Sequence, residues 1–300
     1  MSVDPRILHW LRDSDPSLRW QVERDLAGEP AEVWQATRAR VATEGYGAAL
    51  LAQQGQDGQW EGGAYFPAGF FGSPEAEMPG QPWTATTWTL KDLREWGVPA
   101  SALGDTADKL DRHSRWEYDD LPYWGGEVDV CINAFTLGTG AWLAADVSRL
   151  AQWFPEHQLA DGGWNCEAEE GDSVRSSFHS TLNALRGMLA YEEFTGDTAL
   201  HDSRRRGQEY LLERRLLYRL STGDLVGPFV TQFVYPNRHR YSALAALDLV
   251  RAAQQPDGSW HQGRVLEGRR WFDVDAPEGQ PSRWLTFLAL RALQWWDAAR

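Results

Sequence analysis

A chain of 300 residues with 42% hydrophobic content can bury a substantial core, as one large domain or two ordinary ones. Its net charge of −14 argues against a nucleic-acid partner, which needs clustered Lys and Arg, and its two cysteines are too few for a disulfide framework. It holds no run of about 18 apolar residues and no charged-then-apolar leader, so neither a membrane span nor secretion is expected, and the cytoplasm is the default location.

In chain order, residues 1–30 read as a short helical extension, with Asp15-Pro16-Ser17 opening the segment that carries Trp20, Val22 and Leu26. Residues 31–300 show no seam and read as a single domain. A long helix is expected from about 31 to 54, followed by a loop at 62–82 rich in Gly, Pro and aromatics. Loops beyond roughly 12 to 15 residues tend to be lids or binding elements, and Tyr65, Phe66, Phe70 and Phe71 give this one an apolar face.

Two helix types then alternate. Segments 84–96, 129–145, 177–191, 241–253 and 282–296 are weakly charged and rich in small, Thr or apolar residues. Segments 101–113, 147–157 and 200–215 carry more charge. A helix apolar on most sides is surrounded by protein and one with a polar face borders water, so an inner and an outer ring are expected. The segment from 241 lacks an outer partner, which leaves an open face on which a homodimer can form.

Seventeen Trp residues are many for this length. Trp34, Trp153 and Trp295 sit at helical spacing and read as packing. Three others close the same phrase: Gln54-x-x-Asp57-Gly58-x-Trp60, Gln158-x-x-Asp161-Gly162-x-Trp164 and Gln254-x-x-Asp257-Gly258-x-Trp260. The phrase predicts a helix end, an Asp-Gly turn with Gly at positive φ, and a Trp folded back onto a helix pair. Its recurrence at about one hundred residues marks a repeat of helical hairpins.

Between Glu127 and His179 lie both cysteines, Cys131 and Cys166, with Asp129 and His179. These are zinc-ligand types, although no Cys-x-x-Cys pair is present; the competing reading is two buried thiols and a helix-packing His.

The repeated phrases resemble the QW motifs of the terpenoid cyclase and protein prenyltransferase superfamily over about residues 45–297. The resemblance implies an all-α fold, an α/α toroid with the active cavity inside. Val128-Asp129-Val130-Cys131 is similar to the Asp-x-Cys zinc pair of prenyltransferase β subunits, and Ser177-Phe178-His179-Ser180-Thr181 to the segment carrying their His ligand. It implies Zn2+ held by Asp129, Cys131 and His179, with Cys166 an additional candidate. Asp161-Gly-Gly-Trp-Asn-Cys166 with Ser176-Ser-Phe-His179 also resembles small squalene-cyclase-like proteins. Two family features are missing. The nearest match to the cyclase Asp-x-Asp-Asp acid is Asp273-Val-Asp275-Ala, and acidic residues stand where prenyltransferases grip diphosphate.

The leading expectation is a zinc enzyme acting on an isoprenoid or similarly apolar small molecule. Trp83, Trp88, Phe135, Phe178, Trp284 and Phe287 are the expected cavity wall, able to stabilise cations. Arg175, Arg238, Arg240 and Arg283 are the expected anion-binding residues. Glu127, Asp129, His239 and Tyr241 are the candidate catalytic residues. A zinc hydrolase or lyase, and a binding module with structural zinc, are the alternatives.

Overall fold

A computed structural model of the chain describes residues 3–241 and 247–298, the side chains of 247–249 excepted. The described chain is helix-rich. Its helices are α1 (Pro5–Arg12), α2 (Pro16–Asp25), α3 (Ala31–Arg40), α4 (Gly45–Leu51), α5 (Thr86–Trp96), α6 (Thr106–His113), α7 (Val130–Trp142), α8 (Ser148–Glu156), α9 (Phe178–Thr195), α10 (His201–Glu213), α11 (Leu247–Ala252) and α12 (Arg283–Ala298). The strands β1 (Trp260–His261) and β2 (Pro281–Ser282) form one antiparallel pair. No helix among the described residues is long and apolar enough to cross a membrane.

Local chemistry sets the helix ends. Asp4 and Asp15 precede prolines and accept the backbone N–H groups of Arg6 and Ser17, at 2.8 and 2.9 Å, so α1 and α2 start where their first orphan donors find a carboxylate. Gly97 and Gly196 end α5 and α9 in the left-handed region. The helix expected over 31–54 divides into α3 and α4. Asp15 explains the break: its second oxygen accepts the Tyr46 N–H at 2.9 Å beside Gly45, whose φ is +64°, so one carboxylate caps two helices. The segment expected as a helix at 101–113 begins with a 3-10 turn, Ala100–Leu103, before α6. Of the helix expected over 241–253, residues 242–246 lie outside the described residues.

α7 carries no charged residue and every one of its side chains is buried. It lies between α5 and α9. Gly187 of α9 stands where a Cβ would come 2.5 Å from the Ala134 carbonyl oxygen, so the absent side chain lets the two backbones meet. The amino-terminal residues belong to the same core. Leu11, Leu18, Trp20 and Val22 are buried in it, and the Trp20 indole N–H donates to the Trp96 carbonyl at 2.8 Å. Arg291 of α12 reaches Asp25 of α2 at 3.3 Å.

The three repeated phrases share one geometry. In each the Gly has a φ between +86° and +94°, and the Gln side chain donates to that Gly's carbonyl. The indole N–H of Trp60, Trp164 and Trp260 donates to Leu50, Phe154 and Val250 at 2.7, 2.9 and 2.7 Å, on the preceding helix. The Trp backbone N–H donates to a Thr hydroxyl in the first turns of a later helix: Thr86 of α5, Thr181 of α9 and Thr286 of α12. All three Trp side chains are fully enclosed. Each phrase therefore closes one helix and fixes the start of another.

Candidate functional site

The helix starts fixed in this way carry the polar centre. Asp129 is the residue before α7 and Cys131 lies in its first turn. Cys166 opens a 3-10 turn after Trp164, whose preceding Asn165 accepts the Glu167 N–H at 3.1 Å. The two sulfurs stand 3.4 Å apart across 35 residues of sequence. Ser180 of α9 joins them: its hydroxyl accepts the Cys166 N–H at 3.2 Å and donates to the Cys166 sulfur at 3.3 Å. The Asn183 amide donates to the Cys131 sulfur at 3.3 Å and to the His239 carbonyl at 2.8 Å. Against the burial that raises it, the Asp129 carboxyl is drawn down by the Cys166 thiol.

Burial and these bonds divide the charges unequally. The hydrogen bond from Cys166 holds the Cys131 thiol below its ordinary value, against burial and with help from Asn183 and Ser180. The same bond, with burial, pushes Cys166 up, so Cys131 gives up its proton more readily than Cys166. Burial raises Asp129, and burial followed by the Asp129 charge raises Glu127 to about 7. Burial holds the Tyr65 phenol well above its ordinary value, and the charges of Cys131, Asp129, Cys166 and Glu127 add to the effect.

An aromatic wall adjoins the sulfurs. Trp83, Trp88 and Phe135 form one buried cluster with Cys131, and Tyr65 and Cys166 pack on it. Ring centroids lie 4.8 Å apart for Trp83 and Trp88, 5.5 Å for Trp88 and Phe135, and 4.7 Å for Tyr65 and Trp88. The 62–82 loop supplies Tyr65 and is tied down at its start and again at Glu75. Glu117 accepts the N–H groups of Tyr65 and Phe66 at 3.0 and 3.1 Å, and Arg269 pairs with Glu61 and Glu75 at 2.8 and 2.9 Å.

The other expected site residues are distributed more widely. His239 is near the wall, 5.9 and 6.1 Å from the Trp83 and Trp88 rings. The His179 Nδ1 accepts the Tyr241 N–H at 2.8 Å and its ring lies on Phe229. Burial first, and Arg240 second, lower both histidines to about 4. Phe178 and Tyr241 belong to a separate cluster with Tyr210, and the Tyr241 hydroxyl donates to the Leu216 carbonyl. Trp284 stacks on Tyr235 and Phe287 lies under Arg291, in the main core. The basic residues do not gather. Arg238 is buried and paired with Asp92 at 2.7 Å, Arg175 is exposed, and Arg283 lies over Trp10 near Asp13. Asp275 accepts from Ser282 and from the Arg283 N–H, so it caps α12.

Among the described residues, no group of three or more His, Cys, Asp and Glu side chains stands in metal-binding geometry. The donor chemistry nevertheless suits zinc. Two thiolates on a tetrahedral zinc lie roughly 3.8 Å apart, from Zn–S bonds of about 2.3 Å; the sulfurs at 3.4 Å need open by only a few tenths of an ångström. Asp129, two residues before Cys131 at the start of α7, is the available third donor. His179 has Nε2 to offer, since Nδ1 is engaged by Tyr241.

Sequence reasoning missed Ser180 and Asn183 as partners of the sulfurs. The signal was present as polar residues at helical spacing from Ser177 and His179 on a helix that also buries Ala184, Gly187 and Met188. No protein-family model matches the chain, and no curated protein sequence matches it.

Proposed function

We propose that the chain is an α/α toroid and a zinc-dependent enzyme acting on an isoprenoid or similarly apolar small molecule at the Asp129–Cys131–Cys166 centre. The observation that carries the reading is the meeting of both cysteines, 3.4 Å apart, inside an aromatic cluster at the starts of buried helices. The toroid reading is supported by a circuit of contacts. α5, α7 and α9 lie side by side; Asn183 bonds His239, Arg238 bonds Asp92, and Tyr235 stacks on Trp284. Asp25 then links α12 to α2, and Trp20 links α2 back to α5.

Asp129, Cys131 and Cys166 would hold the metal, which leaves one position for a substrate group or water. Zinc bound there supplies Lewis-acid activation of a thiol, alcohol or water. The remaining roles belong to the chain. Trp83, Trp88 and Phe135 bind the apolar body and offer their faces to developing positive charge. Glu127, raised to about 7, exchanges a proton near neutral pH. Tyr65 and the loop that carries it exclude water from the wall. Asn183 and Ser180 fix the two sulfurs, as outer partners fix metal ligands elsewhere.

Incubating the zinc-reconstituted chain with prenyl diphosphates and with linear and cyclic isoprenoids, and following consumption by mass spectrometry, tests the reading. Turnover is expected and should fall at least tenfold in Glu127→Gln and in Trp88→Ala. Stoichiometric zinc with no compound consumed would leave a binding module instead of an enzyme.

A further inference from the structure

We propose that Cys131 and Cys166 form a hydroperoxide-responsive dithiol, closing reversibly to a disulfide that joins the start of α7 to the turn before α9. The inference stands on the contact between the sulfurs and holds whether or not a metal binds there.

Two features carry it. The sulfurs are 3.4 Å apart with no atom between them, and both cysteines are free. Closure to a disulfide of about 2.05 Å needs one sulfur to travel roughly 1.4 Å. The two attachments differ in a way that permits this travel. Cys131 is fixed in the first turn of the fully buried α7, whereas Cys166 is half-buried and opens a single 3-10 turn whose following residues, 169–172, are exposed.

The chemistry balances with a hydroperoxide as the oxidant. The Cys131 thiolate attacks the terminal peroxide oxygen, the O–O bond breaks, and the alcohol or water leaves with a proton, giving a sulfenic acid. The Cys166 sulfur then attacks the Cys131 sulfur; the S–O bond breaks, water departs with the thiol proton, and the disulfide forms. Two thiols and one hydroperoxide become one disulfide, one alcohol and one water. Ser180 bonds the Cys166 sulfur and lies 3.9 Å from the Cys131 sulfur, so it holds the approaching pair in register.

The test uses the full chain stripped of metal with a chelator and treated with hydrogen peroxide. Intact-mass and peptide mapping should show loss of two hydrogens, a Cys131–Cys166 cross-link and recovery of both thiols with dithiothreitol. Cys166→Ser should instead yield a sulfenic acid at Cys131, trapped by dimedone. Two alkylatable thiols after treatment, or sulfinic and sulfonic products without a cross-link, would overturn the proposal. A parallel sample with added zinc separates it from the metal reading. Slower cross-linking supports both, and an unchanged rate removes zinc while the dithiol stands.

Discussion

The backbone N–H of Trp164 donates to the hydroxyl of Thr181 at 3.1 Å, joining the turn that precedes Cys166 to the helix that carries Ser180 and Asn183. Trp60 with Thr86 and Trp260 with Thr286 repeat the bond at 3.1 and 3.0 Å. Thr181→Val leaves a buried amide without its acceptor, at a cost of about 1–3 kcal/mol. Thr181→Ser keeps the oxygen and should retain most of the stability. Urea unfolding of the two variants checks this; a smaller loss in Thr181→Val than in Thr181→Ser would show that the methyl group matters and the bond does not.

Arg238 and Asp92 form an ion pair with side chains 7% and 10% exposed. Breaking such a pair by removing one partner costs about 3–5 kcal/mol, because the other charge stays buried alone. Arg238→Met should therefore be severe, and Asp92→Leu combined with Arg238→Met should recover much of the loss. A double-mutant cycle with additive penalties would contradict the coupling.

The 62–82 loop is held where Glu117 accepts the Tyr65 and Phe66 amides. Bonds to a charged acceptor contribute about 1.5–3 kcal/mol. Glu117→Gln should raise the rate of limited proteolysis within 62–82 by roughly tenfold or more while leaving the global unfolding midpoint close to wild type.

Acidification tests the buried histidines. His179 and His239 are lowered from an ordinary 6.5 to about 4, chiefly by burial. Between those values the unfolded chain binds more protons than the folded one, so their contribution is present above about pH 6.5 and is lost as pH falls towards 4. Glu127 and Asp275 are raised, to about 7 and about 6, and act in the opposite sense over the same range. His239→Gln isolates one group. Its stability should fall less than the wild type's between pH 6.5 and 4, by about 2 kcal/mol after allowance for partial solvent access. Parallel pH profiles for the two proteins would refute the assignment.

Much of the helix-rich fold was legible because local rules govern it. The Gln-x-x-Asp-Gly-x-Trp phrases announced helix ends and positive-φ glycines, and burial of α7 followed from its lack of charge. What local rules do not carry is tertiary bonding. The phrases gave no hint that each Trp amide seeks a Thr in a later helix, and the break between α3 and α4 depends on Asp15, some thirty residues upstream. The site was legible in the same uneven way. Cys131, Cys166, Asp129 and the Trp83, Trp88 and Phe135 wall come together, but the expected group of arginines does not, because Arg238 answers to Asp92 and Arg283 to Trp10 and Asp13. A basic residue before a helix reports its sequence neighbour, not its spatial one.

Metal content is the most direct test of the proposed centre. The untagged full chain, incubated with zinc and desalted, should hold one zinc per molecule by mass spectrometry, and Cys131→Ala and Asp129→Asn should each lose it. Absence of zinc from every preparation, or retention in Cys131→Ala, would contradict a metal held between Asp129, Cys131 and Cys166.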